Sequence, residues 1–463
     1  MSISAAPTEL GTEKISKLLQ MYAVPGIIAM TASSLYNMVD SIFIGHIPEV
    51  GALAISGLAV TFPLTNLSVA LGTLVGVGAS TMVSVLLGQK NYGKANRVLG
   101  NVMTLNTILG VVFASLCFCF LEPILEFFGA SESTMPFAKE YISIILLGNV
   151  VTHLYFGLNG SLRASGHPKT AMGLTIFTVT SNVILDPIFI FTLGMGIKGA
   201  ALATVICQTI ALALTLKFFL DERHVVHLEK RLFSLDWKIA KSSLAIGLGP
   251  FLMNCASCIV AIFINQQLRR YGGDLAIGSY GIANRITFMF VMVNIGLNQG
   301  MQPIAGYNYG ARLYRRVKKI FTLTAIWEIC VTSLCFVISV FLPRTAASLF
   351  TNDPELMIMA AHALKIMNSG FALVGFGMVS SNLFQCLGMV NKSIFLSLSR
   401  QLLFLVPLVY LLPMRMNENG VWLSFPISDI LSILVSAVFV IALFRKLGRL
   451  KDGEDPSVLG SSI

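Results

Sequence analysis

Apolar residues fill this chain in runs too long for the helices of a soluble core. Twelve such runs stand near residues 18–47, 52–87, 98–121, 137–162, 170–193, 198–220, 239–266, 275–305, 320–342, 356–387, 393–413 and 419–444. Crossing the hydrocarbon core of a bilayer takes about 20 apolar residues as a helix. Runs well beyond that length imply tilt, kinks or ends that project past the lipid. The pattern predicts an all-α integral membrane protein with twelve transmembrane helices. No segment between the runs is long enough for a second, soluble domain.

The runs repeat. Asn91-Tyr92-Gly93 after the second run recurs as Asn308-Tyr309-Gly310 after the eighth, and each leads into a basic stretch. Arg163-Ala164-Ser165-Gly166 after the fourth has a weaker echo in Gln385-Cys386-Leu387-Gly388 after the tenth. The two offsets are nearly equal, and each is close to half the chain. Six spans per half is an even number, so both halves share one orientation. Two parallel six-helix repeats are a transporter architecture, with substrate handled between the halves near the midplane. The expected organisation is an N-lobe over residues 1–220, a linker over 221–238, a C-lobe over 239–445 and a tail over 446–463.

Charge fixes the expected orientation. Most of the 32 Lys and Arg residues lie in loops and termini on one side of this arrangement, which predicts that both termini are cytoplasmic. The net charge of +10 is therefore a topology signal, and no nucleic-acid partner is expected. The composition agrees, with 55% hydrophobic and 12% charged residues against roughly 25% charged in soluble domains. The segment from Met1 to Lys17 lacks the short apolar core and cleavage site of a signal peptide, so the first helix is expected in the mature protein. All eight cysteines fall in apolar segments and imply no disulfide framework. The Cys255/Cys258 pair has no His or further Cys nearby, and small side chains packing in the membrane explain it better than a metal or redox pair.

Against this apolar background a few polar residues stand out. Asp40 lies inside the first run, with Tyr36 and Asn37 four and three residues before it on the same helical face. An intramembrane carboxylate is costly and reads as functional by default. Asp186 lies in the fifth run, with Asn182 four residues earlier and Pro187 directly after it. Pro187 lacks a backbone donor and should kink the helix, leaving a carbonyl for an ion. Thr204 is the first hydroxyl of the sixth run. Counted from the ends of their runs, Asp40, Asp186 and Thr204 all lie roughly 9–10 Å below one membrane face. Two acids close together in a low dielectric cannot both ionise cheaply, so one keeps a proton or both share a cation. The cluster is thus expected to bind and release H⁺ or Na⁺. The alternative is two independent structural carboxylates, each capped by its own Asn neighbour.

Other buried polar residues point less clearly. His153 in the fourth run could line a substrate cavity or bridge helices. Arg285 and Lys365 lie inside spans, with only Glu328 or Asp429 as conceivable partners; otherwise they snorkel to an interface. The 20 Met and 31 Phe residues suit a pliable substrate pocket and lipid contact equally. Enzyme signatures are absent: there is no phosphate-binding loop, no His-Glu-x-x-His and no Gly-x-Ser-x-Gly. The chain is not expected to be an enzyme, to hold a cofactor or to use ATP directly.

Taken together, the segments Tyr36–Gly45, Asn182–Pro187, Gly88–Ala95 and Arg163–Gly166 resemble the multidrug and toxic compound extrusion (MATE) family, over about residues 15–445. Within it the chain looks like the bacterial MepA-like and DinF-like branch. The resemblance implies two six-helix lobes around a V-shaped cavity, alternating access, and export of small amphipathic, often cationic compounds driven by H⁺ or Na⁺. It implies a multi-pass protein of the bacterial cytoplasmic membrane. Asp40, Asn182, Asp186 and Thr204 match the ligands of the family's N-lobe cation site, and Pro25 matches a proline at which the first helix is proposed to bend. Some members carry a second site with a Glu in span seven and an Asp in span ten. Here span seven reads Gly249-Pro250-Phe251-Leu252-Met253-Asn254-Cys255 and span ten has no acid, so coupling is expected to rest on the N-lobe. One twelve-span chain encloses a full pathway, so a monomer is expected. The other function considered is a flippase for a lipid-linked saccharide precursor. That would require a strongly cationic groove, and Arg285 and Lys365 are too few to form one.

Overall fold

The long apolar runs fold as helices because a backbone in lipid has no water to satisfy its polar groups and must pair them internally. The computed structural model describes residues 8–229, 235–351 and 353–454. The spans are α1 (Ile15–Gly45), α2 (Gly51–Gly88), α3 (Tyr92–Cys119), α4 (Met135–Leu147 with Asn149–Ala164), α5 (Pro168–Thr192) and α6 (Ile197–Phe219). They continue as α7 (Trp237–Gly273), α8 (Leu275–Gly310), α9 (Tyr314–Phe341), α10 (Pro354–Cys386), α11 (Val390–Met416) and α12 (Glu418–Arg449). Eleven are single membrane-length helices; α4 is a pair bent by 55° and makes the twelfth. Between α7 and α8 the backbone turns at Gly273, where φ is 67° and ψ is −164°, a conformation open to glycine. Among the described residues every regular element is helical, as the hydropathy pattern predicts.

The helices form two compact units. The first comprises Met1–Glu9 and Ile28–Gly247, and the second Leu10–Ile27 and Leu248–Ile463. Each repeat therefore lends the opening turns of its first helix to the other. In the first unit the start of α7 presses on α2: a Cβ added at Gly78 would lie 1.8 Å from the Ser243 carbonyl oxygen, and one at Gly247 1.7 Å from that of Leu74. In the second unit the start of α1 presses on α8 in the same way, with the position of a Gly300 Cβ 2.4 Å from Ala23 Cα. Only glycine permits such approach. Pro25 and Pro250 stand within three residues of the two crossings.

The internal repeat has a single register. Lys90 and Arg312 both have a φ of 60°, and the same offset along the chain relates Gly166 to Gly388, where φ is 98° and 67°. The hydrogen bonds agree: Asn91 N donates to Leu86 O as Leu313 N donates to Asn308 O. The matching Asn-Tyr-Gly triplets are thus a coincidence of sequence and lie out of structural register. Asn91 caps the start of α3, where its side chain accepts from Lys94 N, whereas Asn308 lies in the last turn of α8 and donates to Leu10 O. The echo at Gly166 and Gly388 carries the true offset.

The linker does not hang free where it is described. His227 N donates to Asn96 Oδ1 and Asp236 N to Asn101 Oδ1, which fastens both ends of the segment to α3. At the other unit Arg316 donates to the carbonyls of Leu10 and Glu13, holding the N-terminal turn.

Candidate functional site

In the first unit α1, α5 and α6 bring four of the singled-out side chains together. Asp40, Asp186 and Thr204 lie between one and two turns from the helix ends at Gly45, Thr192 and Ile197, so the equal depth read from sequence holds. Asp186 is fully buried, Asn182 is 2% exposed and Asp40 6%. The Asp40 and Asp186 carboxyl groups lie within interaction distance of each other, and Asp40 Oδ1 has no hydrogen-bond partner. Two carboxyl groups this close need a positive charge between them, either a proton or a metal cation.

Asn182 sets the orientation of Asp186. Its amide nitrogen donates to both oxygens of Asp186, at 3.0 and 2.6 Å, and its oxygen accepts from Thr204 N and Oγ1, each at 3.1 Å. This amide orientation is the one that gives an acceptor-only carboxylate its donors. The i, i+4 spacing of Asn182 and Asp186 puts them on one face of α5, as the sequence indicates. Tyr36 Oη lies 2.9 Å from Thr204 Oγ1, which ties α1 to α6. Tyr36 thus supports the site through Thr204. Asn37 is on α1, but its side chain lies outside the described residues. Directly after Pro187 the helix widens into a π-turn over Ile188–Thr192, where Leu193 N reaches back to Ile188 O. The missing donor of Pro187 is thus absorbed by a change of helix type.

Sequence reading missed Tyr141. It is on α4, 7% exposed, and close enough to interact electrostatically with both carboxyl groups. A tyrosine in an apolar run needs a hydrogen-bond partner when buried, and that was the available signal. Toward the helix ends the site is closed by apolar packing of Ile44, Ile190, Ile197 and Ala201 with Tyr141. That layer keeps water from the carboxyls in this conformation.

His153 does not open on a cavity. It is fully buried within the first unit, where Ser68 Oγ lies 3.3 Å from its Nε2 and Ser68 also donates to Asn149 Oδ1. A Cβ added at Gly72 would stand 3.0 Å from its Cα. It is an interhelical histidine, and the substrate-cavity reading is set aside. The partners considered for Arg285 and Lys365 also resolve differently. Both cations are exposed, whereas Asp429 on α12 pairs at 2.6 Å with Arg400, on a π-turn inside α11.

These features define a multi-span helical membrane protein with two buried carboxyl groups brought together in its first unit. The MatE family model matches residues 25–188 and 246–411, one stretch in each repeat, and the chain belongs to the MatE family, a class of transporters and not of enzymes. It is 26% identical to "Multidrug export protein MepA" of Staphylococcus haemolyticus (strain JCSC1435) over 94% of this chain and 95% of that one. Its identity to the protein of the same name in Staphylococcus aureus (strain MSSA476) is 27%, with the same coverage. A solved outward-facing structure of a multidrug resistance MATE family transporter superimposes with a TM-score of 0.89 at 25% identity, over 96% of this chain and 100% of that one.

Proposed function

We propose that this protein exports small amphipathic, often cationic compounds across a bacterial cytoplasmic membrane in exchange for H⁺ or Na⁺. The observation that carries the reading is the pair of buried carboxyl groups, Asp40 and Asp186, close together and without a basic partner among the described ion pairs. Such a pair has one vacancy for positive charge. Family membership and the multidrug exporters among its relatives supply the substrate class.

The geometry suggests the cycle. A cation entering between Asp40 and Asp186 joins α1 to α5, and Asn182 and Thr204 carry that linkage to α6. Loss of the cation leaves two negative charges that repel, at a cost that grows as water is excluded. Binding and release therefore favour different arrangements of these helices, which is the differential affinity an alternating carrier requires. Asp40, Asn182, Asp186 and Thr204 are the ligands, and Tyr36 positions Thr204. Pro25 removes one helical hydrogen bond from α1 and gives it a place to bend. In this reading residues 1–220 and 239–445 act as the two lobes, both termini face the cytoplasm, and the chain works as a monomer.

A flippase for a lipid-linked saccharide would need a cationic groove for phosphate. Among the described residues Arg400 is paired with Asp429, and Arg285 and Lys365 lie exposed rather than gathered in a groove. The experiment is dye efflux from proteoliposomes under separately imposed pH and Na⁺ gradients, comparing wild type with Asp40→Asn and Asp186→Asn. Efflux driven by one gradient and lost in the variants names the coupling ion. Full gradient-driven efflux in both variants rejects the site.

A further inference from the structure

Structural register places Glu328 of α9 at the position that Asn106 occupies in α3. The two helices are both 28 residues long and begin at equivalent places in the two repeats, Tyr92 and Tyr314. Both side chains are fully buried, and neither finds a hydrogen-bond partner for its terminal atoms. The difference is charge. A neutral amide suffices at this place in the first unit, so packing alone does not demand a carboxyl group in the second.

The surroundings have changed with it. At the positions of Gly72 and Gly76 on α2, α8 carries Asn294 and Asn298, while the position of His153 on α4 is Gly375 on α10. In the first unit the two glycines let α2 touch α4, with their added Cβ positions 3.0 and 2.8 Å from His153 Cα and Gly157 Cα. In the second unit the missing histidine side chain leaves room for Glu328, whose Cβ lies 2.9 Å from the position a Gly375 Cβ would take. The side chain of Asn298 lies within interaction distance of the Glu328 carboxyl, yet neither Glu328 oxygen has a hydrogen-bond partner. Both Glu328 oxygens, Asn294 Oδ1 and Asn298 Oδ1 are buried oxygens without a donor. The neighbouring polar contacts leave them so: Asn294 Nδ2 turns to Met378 Sδ at 3.9 Å, Asn382 Nδ2 donates to the Asn298 carbonyl, and Thr332 Oγ1 to the Glu328 and Ala372 carbonyls. Among the described residues Glu328 makes no ion pair, and Asp429 of α12, the other buried acid of the second unit, is paired with Arg400.

A carboxyl group removed from water needs a positive charge on it or beside it. Hard monovalent and divalent cations are held by carboxylate and amide oxygens of this kind. We propose that Glu328, with Asn294 and Asn298, is a second cation site, built in the second unit and taking H⁺ or Na⁺. It rests on the reading of the protein as an ion-coupled exporter and doubles that protein's capacity for coupling ions. It differs in helix and residues from the Asp40/Asp186 site: in structural register the place of Asp186 is held by Leu408 and that of Asn182 by Phe404.

The test counts bound cations and needs no transport. Full-length Asp40→Asn/Asp186→Asn protein in detergent is compared with the same chain also carrying Glu328→Gln, by binding of radioactive Na⁺ and by proton uptake on a pH step. Loss of one saturable Na⁺ equivalent in the Gln variant identifies a Na⁺ site; loss of one titrating proton identifies a proton site. Identical counts in both arms overturn the proposal. Because the Gln variant could misfold, the wild-type chain labelled with carbon-13 at glutamate is followed by infrared difference spectroscopy. Among the described glutamates Glu328 alone is buried. A buried carboxyl band that shifts with Na⁺ or pH supports the site, and a band silent to both overturns it. If no gradient drives efflux, the exporter reading fails while these counts still stand on their own.

Discussion

Asn182 holds Asp186 with two hydrogen bonds from one amide nitrogen, and its oxygen locks onto Thr204 across the α5–α6 packing. The acid is thereby fixed in place, while Asp40 contributes an oxygen with no partner of its own. One carboxyl of the pair is held and the other is left with capacity to bind.

Replacing Asn182 by Ala should change cation affinity more than replacing Thr204 by Ala, weakening binding if the cation is Na⁺ and tightening it if the cation is H⁺. Hydrogen bonds to a charged group contribute about 1.5–3 kcal/mol, roughly ten- to a hundredfold in affinity, against about 1 kcal/mol for a neutral one. Equal effects of the two substitutions on the half-saturating H⁺ or Na⁺ concentration for dye efflux would refute the ranking.

The Arg400–Asp429 pair should respond asymmetrically. The Asp429 side chain is 2% exposed and that of Arg400 31%. Arg400→Ala strands a buried carboxylate and is expected to destabilise the protein by about 3–5 kcal/mol. Asp429→Ala should cost less, because the arginine can reach out of the protein interior. Arg400→Met with Asp429→Leu should recover much of the loss. Thermal unfolding in detergent orders the three.

Glycine contacts predict a sharp contrast. Gly247→Ala and Gly78→Ala drive a methyl group into the carbonyl oxygens of Leu74 and Ser243, and each is expected to cost about 1–3 kcal/mol or more. Gly173→Ala on α5 meets nothing within 4 Å. It should stabilise by up to about 1 kcal/mol through helix propensity. Melting temperatures of the three variants, measured side by side, check this directly.

A pH response is expected at the turn between α4 and α5. Burial, with the neighbouring His224, lowers the pKa of His167. His224 stacks on Phe218 at 3.9 Å between ring centroids, and His167 packs edge-on against both. A histidine lowered on folding stabilises in its neutral form. Its contribution is present above the unfolded value near 6.5 and is lost as pH falls below it. Hydrogen-exchange protection around His167 and His224, corrected for the intrinsic pH dependence of exchange, should therefore fall on acidification from pH 7 to pH 5, and His167→Phe should flatten that fall.

Much of the candidate site was legible because membranes make polar residues conspicuous. Asp40, Asn182, Asp186 and Thr204 could be picked from sequence by spacing and depth alone. Tyr141 could not, since a tyrosine among many apolar residues looks like any other aromatic until its helix is packed. His153 drew attention for the same conspicuousness, yet it is fully buried between close helices, with Ser68 beside Nε2 and Nδ1 without a partner.

The sequence by itself determined the helical class, the number of spans and the existence of two repeats. Those follow from one-dimensional quantities, namely run length and the cost of unpaired backbone groups in lipid. Tertiary structure decided the register of the repeat, because the true offset is written in backbone conformation at Lys90, Arg312, Gly166 and Gly388, where several residue types share one turn. It also decided the partner of Asp429 and the isolation of Glu328. Which charge meets which depends on how helices far apart in the chain rotate against one another, and hydropathy along a single helix carries no record of that.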